Sequence, residues 1–578
     1  MVHCGFPAPY VEDRRDRSPT VSTDTSVLWL RRDLRLADNA ALAAAAAADE
    51  LLPVYCFDPR DYGDQPFGGR DSFRYQKTGP HRVRFRREAV ADLRDRLQSR
   101  GSDLLVRHGR PERVLPAVVD AVDADTVQFH TFPTPEEMGT EEAVRDAFRN
   151  RPVETRRHWG HTLYHVDDLP TRYTRIQDTY TPFRQSVEAG ASVRDPLDEP
   201  ALPPTPQSTP STGSIPEPGT LGVDPTEPDD RGVHPFPGGE TAARDRLDAW
   251  VWEGDNLREY KQTRNELVGP DYSSKFSPYL NEGCLSPRTV HAAVDRYEAE
   301  RVANDDTYWL VFELIWRDFF QFQFAKHGAQ FFERPGIRGR TEIDWGDPET
   351  EPAAERQLRQ WCDGETGIPF VDATMRELNQ TGYVSNRGRQ NAASFLANDL
   401  RVDWRHGAAY FETQLVDYDP ASNYGNWAYV AGVGNDSRNR SFDVLSQARR
   451  YDPQGGSCAT GSRSCRRCPA TRSTSRGRCP RQNNGGTGSN SGSTTRDRRS
   501  ISTDPDYRNA STSSSLVTST PSSVTTATLT PLPEAVSRSI ADWTALAATV
   551  SASSTESPSS YCCSSTPNAY CEPEPVTV

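Results

Sequence analysis

The chain has 578 residues, 35% of them apolar, and a net charge of −14. That length exceeds one ordinary domain. No stretch reaches the roughly 18 uninterrupted apolar residues of a membrane span, and the start lacks the basic–apolar–small order of a secretory signal, so a cytoplasmic protein is expected; it is also expected to be a monomer. Cys4, Cys56, Cys284 and Cys362 are too widely spaced for a disulfide framework, and seven further cysteines lie beyond residue 457. Cys465 and Cys468 form one C-x-x-C without a neighbouring histidine, and no metal is assigned. Only four lysines accompany 63 arginines, and the chain up to residue 455 carries a net −18. Excess carboxylate with scarce lysine suits a high-salt cytoplasm. A nucleic-acid site on such a body needs a local arginine patch.

Residues 1–24 read as a polar leader. Over 25–170, apolar strands at 26–29, 51–57, 104–106 and 126–129 alternate with helical segments at 40–48, 82–99, 114–122 and 137–150. That alternation predicts an α/β domain with a doubly wound parallel sheet. Residues 171–240, rich in Pro, Thr and Asp beyond Arg194, read as an interdomain connection. Over 241–455 the strand signals vanish. Helices are expected at 241–254, 287–302, 307–327, 353–362, 370–380, 386–399 and 404–415, giving an all-α second domain. Residues 456–578 are dominated by Ser, Thr, Pro, Gly and Arg and are expected to be a disordered tail.

The α/β segment holds no G-x-G-x-x-G after its first strand and no P-loop, so the chemistry is sought in the helical half. Tyr272-Ser273-Ser274-Lys275-Phe276-Ser277-Pro278 places three hydroxyls and one rare lysine before a helix start, with Ser277 as N-cap. This suits a phosphate, or an ordinary capped helix. Glu313, Trp316 and Arg317 share a helical face, as a flat polar ligand or a plain salt-bridged helix would use. Asn386 and Gln390 share another face in the basic run 381–391. The stretch Asp417-Tyr418-Asp419-Pro420-Ala421-Ser422-Asn423-Tyr424-Gly425-Asn426-Trp427 carries too many polar groups for plain core.

With TGPHRVRF (78–85), YSSKFSPYL (272–280), ELIWRDFF (313–320), GYVSNRGRQNAASFL (382–396), DYDPASNYGNW (417–427) and AGVGNDSR (431–438), the chain resembles the photolyase/cryptochrome family. NRGRQ, SNYGNW and LWLRRDLRLADNAAL (28–42) point to its DASH branch. The resemblance runs from about Ser26 to Pro453 and implies an N-terminal antenna domain and a helical domain around FAD. It implies that Tyr260, Ser273, Ser274, Lys275, Phe276 and Ser277 contact the FAD phosphates and ribityl chain. Arg317 and Asp419 would lie at the flavin, Arg389 and Asp417 would pair beside it, and Asn423 would face its N5. Glu313, Trp316, Asn386, Gln390 and Tyr429 would line the substrate pocket. Trp427 and Trp404 resemble the inner and middle members of the family's tryptophan chain. The third position falls at Glu351, and Trp345 is its expected replacement. A second chromophore, methenyltetrahydrofolate, is the branch default, with Glu137 as a contact.

The activity implied is deoxyribodipyrimidine photolyase: light-driven repair of pyrimidine dimers, mainly in single-stranded DNA. The competing reading is a blue-light photoreceptor or regulator without repair. Tyr429 replaces the tryptophan of many duplex-repairing relatives and stacks less strongly on a flipped dimer. Arg387, Arg438, Arg440, Arg449 and Arg450 are the expected contacts to DNA phosphates. The resemblance stops abruptly after Gly455. The change of composition there suits an out-of-frame ending or a genuine extension.

Overall fold

The computed structural model describes residues 24–67, 72–436, 441–453, 455 and 456. The expected leader (apart from Asp24), Arg438, Arg440 and the tail from 457 lie outside them.

Five strands form one parallel sheet: β1 (Thr25–Leu30), β2 (Glu50–Phe57), β5 (Leu105–His108), β6 (Thr126–His130) and β7 (Glu154–His158). Between β2 and β5 lies a short antiparallel hairpin, β3 (Asp64–Pro66) and β4 (Arg74–Gln76). The sheet order is β5-β2-β1-β6-β7, with Val27 opposite Leu52 on one side and Val127 on the other. Every residue of β1 is buried, as in a parallel sheet covered on both faces. Alternation then sorts its side chains. Val27 and Trp29 join Leu115, Val119 and Phe148 in a core on one face. Leu28 and Leu30 enter the large core on the other, which runs on through Trp250, Phe319 and Trp427 of the helical part. The helical half is thus packed on one face of the sheet.

The sheet reverses winding direction between β1 and β6, and the crevice at their carboxyl ends is the usual ligand position in such folds. Here that corner is tied to the helical half. Gly283, at φ +71°, packs so closely that a Cβ would overlap the Arg32 carbonyl. Arg86 donates to Glu282 at 2.8 Å, both buried. Arg32 reaches Asp419 at 3.1 Å.

Several expected elements differ in detail. The alanine helix ends at Ala45, although Asn39 caps its start by accepting from the Leu42 amide at 3.0 Å. The helices expected at 241–254 and 386–399 both finish in π-helical turns, Ala249–Glu253 and Phe395–Asp399. Strand β7 was not expected because Glu154–His158 contains no apolar residue. The helices Tyr180–Gly190, Pro420–Val430 and Val444–Tyr451 were also missed. The 194–239 segment is aperiodic apart from a 3-10 turn at Pro218–Leu221. It is laid back on the α/β half: Thr212 accepts from the Val106 amide of edge strand β5 at 2.7 Å.

Replacing Arg86 by Met strands the buried Glu282 carboxylate without its bidentate cation. A loss of about 3–5 kcal/mol is expected, read as a lower urea midpoint. A change below about 1 kcal/mol would mean that Glu282 finds other partners.

Candidate active site

The site is built on three helices and one loop. The Asp305–His327 helix starts with a capping box: Asn304 accepts from the Asp306 and Thr307 amides, and Thr307 accepts from Asn304. Acidic residues in its first turn and Lys326 and His327 in its last suit the helix dipole. It fixes Glu313, Trp316, Arg317 and Gln321 on one buried stripe. The Asn386–Ser394 helix begins as expected, with Ser385 accepting from the Gly388 amide at 3.1 Å. The Pro420–Val430 helix is capped by Asp419, which accepts from the Ser422 amide at 2.8 Å.

These elements line a partly open cavity. Asn386, Arg389, Gln390, Asp417, Asp419, Asn423 and Trp427 line it. Arg389 donates to Asp417 Oδ2 at 2.7 Å, and the Ser277 hydroxyl donates to the same oxygen at 2.7 Å. Among the described residues, Asp417 Oδ1 and Trp427 Nε1 are buried without partners. Asn423 donates through its amide to the Ala408 carbonyl at 3.0 Å. The Trp427 ring lies over Gly407, where any Cβ would overlap it. Burial disfavours the Asp419 charge, yet Arg32 and Arg317 hold its carboxyl below the usual range. Gln321 also donates to Asp419, at 2.9 and 3.0 Å.

Glu313 and Trp316 do not line this cavity. Glu313 is fully buried and paired through Oε1 with Arg264, while its Oε2 has no partner. Burial pushes its carboxyl up to about 7, against the pull of Arg264. Trp316 stacks on Tyr180, centroids 3.5 Å apart and 7° from parallel. It meets Tyr429 edge-on at 6.5 Å, which joins it to the cavity's helix. Tyr429 donates to Asp436 at 2.7 Å. Arg317 donates to the His161 carbonyl, and burial lowers its pKa.

The expected phosphate segment departs from its sequence reading. Its helix, Ser277–Asn281, has five residues and Phe276 at the N-cap position. Ser277 therefore does not cap it and serves Asp417 instead. So short a helix has little dipole to offer, and any phosphate binding rests on side chains. Lys275, at φ +61° and 1% exposed, donates to the Ser273 hydroxyl at 3.0 Å and stands over the Tyr272 ring. Among the described residues it has no ion-pair partner, and burial pushes its ammonium well below the usual range. A buried cation, an orphaned carboxylate oxygen and an orphaned indole N–H together are a donor and acceptor set that fits a polar, anionic, ring-bearing cofactor. Ser274 accepts from the Phe276 amide at 3.4 Å, and Tyr260 and Phe276 both pack edge-on against Trp250.

Trp404 donates to the Arg334 carbonyl and Trp345 to that of Ala397, both buried. Arg387 does not suit a DNA phosphate: it is 7% exposed, donates to Asn265 at 2.9 Å and lies over the Tyr451 ring. Arg449 and Arg450 are exposed. The sequence reading missed Arg264, Tyr180 and Gln321. Only Gln321 had a local signal, because it continues the Glu313, Arg317 spacing by one more turn.

Residues 309–459 match the family described as the FAD binding domain of DNA photolyase, and residues 26–206 match DNA photolyase. The chain is 57% identical over 431 residues to a cryptochrome DASH of Natronomonas pharaonis, covering 74% of this chain and 88% of that one. A crystal structure of a Synechocystis cryptochrome superposes with a TM-score of 0.73 at 40% identity, covering 80% of this chain and 92% of that one. An archaeal photolyase from Sulfolobus tokodaii, crystallised with two FAD molecules, gives 0.62 at 26% identity over 78% and 92% of the two chains.

The Glu313 environment makes a pH prediction. The folded carboxyl keeps its proton to about pH 7, whereas its ordinary value is 4.5. The native state therefore binds more protons than the unfolded state between those values, and stability falls as pH rises through them. Relative to Glu313→Gln, the wild type is expected to lose about 3 kcal/mol from pH 4.5 to 7.5 in denaturant titrations. A pH-independent difference would remove the raised pKa.

Proposed function

The chain belongs to the photolyase/cryptochrome family, in its cryptochrome DASH branch, and from that premise we propose a light-driven photolyase that splits cyclobutane pyrimidine dimers, chiefly in single-stranded DNA. The observation that carries this reading is the single cavity in which Asn386, Gln390 and Asn423 converge on Arg389, Asp417 and Trp427. When bound, FAD supplies the photo-excited electron that opens the cyclobutane ring.

The protein's own groups hold, orient and shield. Ser273, Ser274 and Lys275 supply hydroxyls and the missing counter-charge for the FAD phosphates, with Tyr260, Phe276 and Ser277 flanking them. Arg389 and Asp417 would hold polar ring atoms, with Arg317, Asp419 and Asn423 as further contacts to the flavin. Glu313 lies behind the cavity wall, and the oxygen that Arg264 leaves unpartnered would be its hydrogen-bond donor to the dimer's carbonyl edge once substrate is seated. Asn386 and Gln390 would meet the dimer in the cavity, with Trp316 and Tyr429 stacked edge-on behind them. Trp427 would serve as the electron donor to oxidised FAD, with Trp404 and Trp345 as further donors.

A second chromophore, methenyltetrahydrofolate, would be taken by the cleft at the strands' carboxyl ends, lined by Arg32, Lys77, Glu136, Glu137 and Tyr418. The two FAD molecules in the archaeal relative are consistent with a second cofactor position in this fold.

Duplex DNA requires unpairing, a few kcal/mol, before a dimer enters the pocket. With chemically reduced protein, repair under blue light is expected to be at least about tenfold faster on single-stranded than on duplex oligonucleotides. Tyr429→Trp should narrow that gap. Equal rates would place the pocket wrongly, and photoreduction without any repair would favour the photoreceptor reading.

Arg389→Ala leaves Asp417 buried with only Ser277, at a cost of about 3–5 kcal/mol. The variant is expected to purify without FAD absorbance. Full occupancy would remove the pair from the flavin site.

A further inference from the structure

We propose that Trp361 and Tyr410 form a second route for electrons into Trp427, with Tyr410 as its terminal donor at the surface. The inference rests on the reading of Trp427 as inner donor to photo-excited oxidised FAD.

The aromatic contacts carry it. The Trp361 ring lies 6.0 Å from that of Trp427, at 74°. The Tyr410 ring lies 5.8 Å from that of Trp361, at 65°. Among the described residues, no ring contact joins Trp427 to Trp404 or to Trp345. Phe411 also touches Trp427, at 5.1 Å, but a phenyl ring is far harder to oxidise than an indole or a phenol. Trp361 is fully buried, and its N–H is fixed on the Ala392 carbonyl at 2.9 Å. Tyr410 is half-buried and lines an open groove with Leu358, Cys362, His406 and Ala409. Its hydroxyl donates to Asn379 Oδ1 at 2.7 Å. Of the three rings, only Tyr410 reaches solvent.

That exposure makes Tyr410 a natural end point. One electron leaves the Trp427 indole for the excited oxidised flavin. Trp361 returns one electron to Trp427, and Tyr410 returns one to Trp361. An oxidised phenol is strongly acidic, and neither the Asn379 amide oxygen nor a backbone carbonyl is a competent base. The proton therefore passes to water in the groove, leaving a neutral tyrosyl radical. Loss of the proton blocks the reverse transfer. An exogenous thiol then gives back one electron and one proton, and two thiyl radicals pair as a disulfide.

The test uses the full-length, FAD-loaded, oxidised protein, flashed with blue light without thiol, frozen and read by electron paramagnetic resonance. Wild type is expected to show a tyrosyl signal that narrows with ring-deuterated tyrosine. Tyr410→Phe, which removes only a hydroxyl, should abolish that signal and slow thiol-driven photoreduction several-fold. Trp361→Phe, in protein that retains FAD absorbance, should do the same. An undiminished tyrosyl signal in Tyr410→Phe, or none in the wild type, overturns the proposal. Unchanged photoreduction in Trp427→Phe would instead sink the inner-donor reading. Blocked photoreduction in Trp427→Phe with an intact tyrosyl signal in Tyr410→Phe would sink the second route alone.

Discussion

The architecture turns on one buried carboxylate. Asp419 is 1% exposed and accepts hydrogen bonds from three separate elements: the Arg32 guanidinium just after β1, the Gln321 amide of the Asp305–His327 helix, and the Ser422 amide of its own helix. An isolated charge in that position would cost several kcal/mol, so the carboxylate is stable only while all three donors converge. That requirement sets the α/β half against the helical half and fixes where the Pro420–Val430 helix begins. The helix start in turn aims Asn423 and Trp427 into the cavity. Arg32 also reaches Glu137 at 2.6 Å, so the same guanidinium braces the crevice at the sheet's switch point.

Around that brace the protein tolerates polar atoms that its own fold leaves unmatched. Among the described residues, Asp417 Oδ1 and Trp427 Nε1 of the cavity wall are buried without partners. Each such atom costs about 1–3 kcal/mol unless something else satisfies it. The apolar core that offsets this is unusually aromatic, with Trp316 stacked on Tyr180 and Trp361 on Phe411. Binding of a cofactor that completes the set would return part of that cost as stability, coupling occupancy to folding.

Glu313 shows how a charge pattern can mislead about state. On the helix surface it reads as an ordinary partner for Arg317 at i+4. In the fold Arg317 turns to the His161 carbonyl, and Glu313 pairs with Arg264 from a separate segment. Burial then outweighs the cation, and the carboxyl titrates near neutrality. The surface arginines tell a similar story. Arg387 appears in a basic run, yet it is internal, engaged by Asn265 and Tyr451.

Much was legible from sequence alone, because the signals were local. Alternating apolar runs marked four of the five sheet strands, and 3.6-residue spacing marked the long helix carrying Glu313, Trp316 and Arg317. Six long motifs in order identified the family and, through it, the cofactor. What tertiary structure decided was everything that depends on partners distant in sequence. Strand β7 has no apolar pattern of its own and is recruited by pairing with β6. The phosphate segment forms only one short helical turn, and its Ser277 is taken by Asp417, 140 residues later. The contact of Trp361 with Trp427 joins residues 66 positions apart in the chain. Local sequence encodes dihedral preference and the buried face of an element. Which buried group meets which is settled only when the whole core closes and each desolvated charge must find its counterpart.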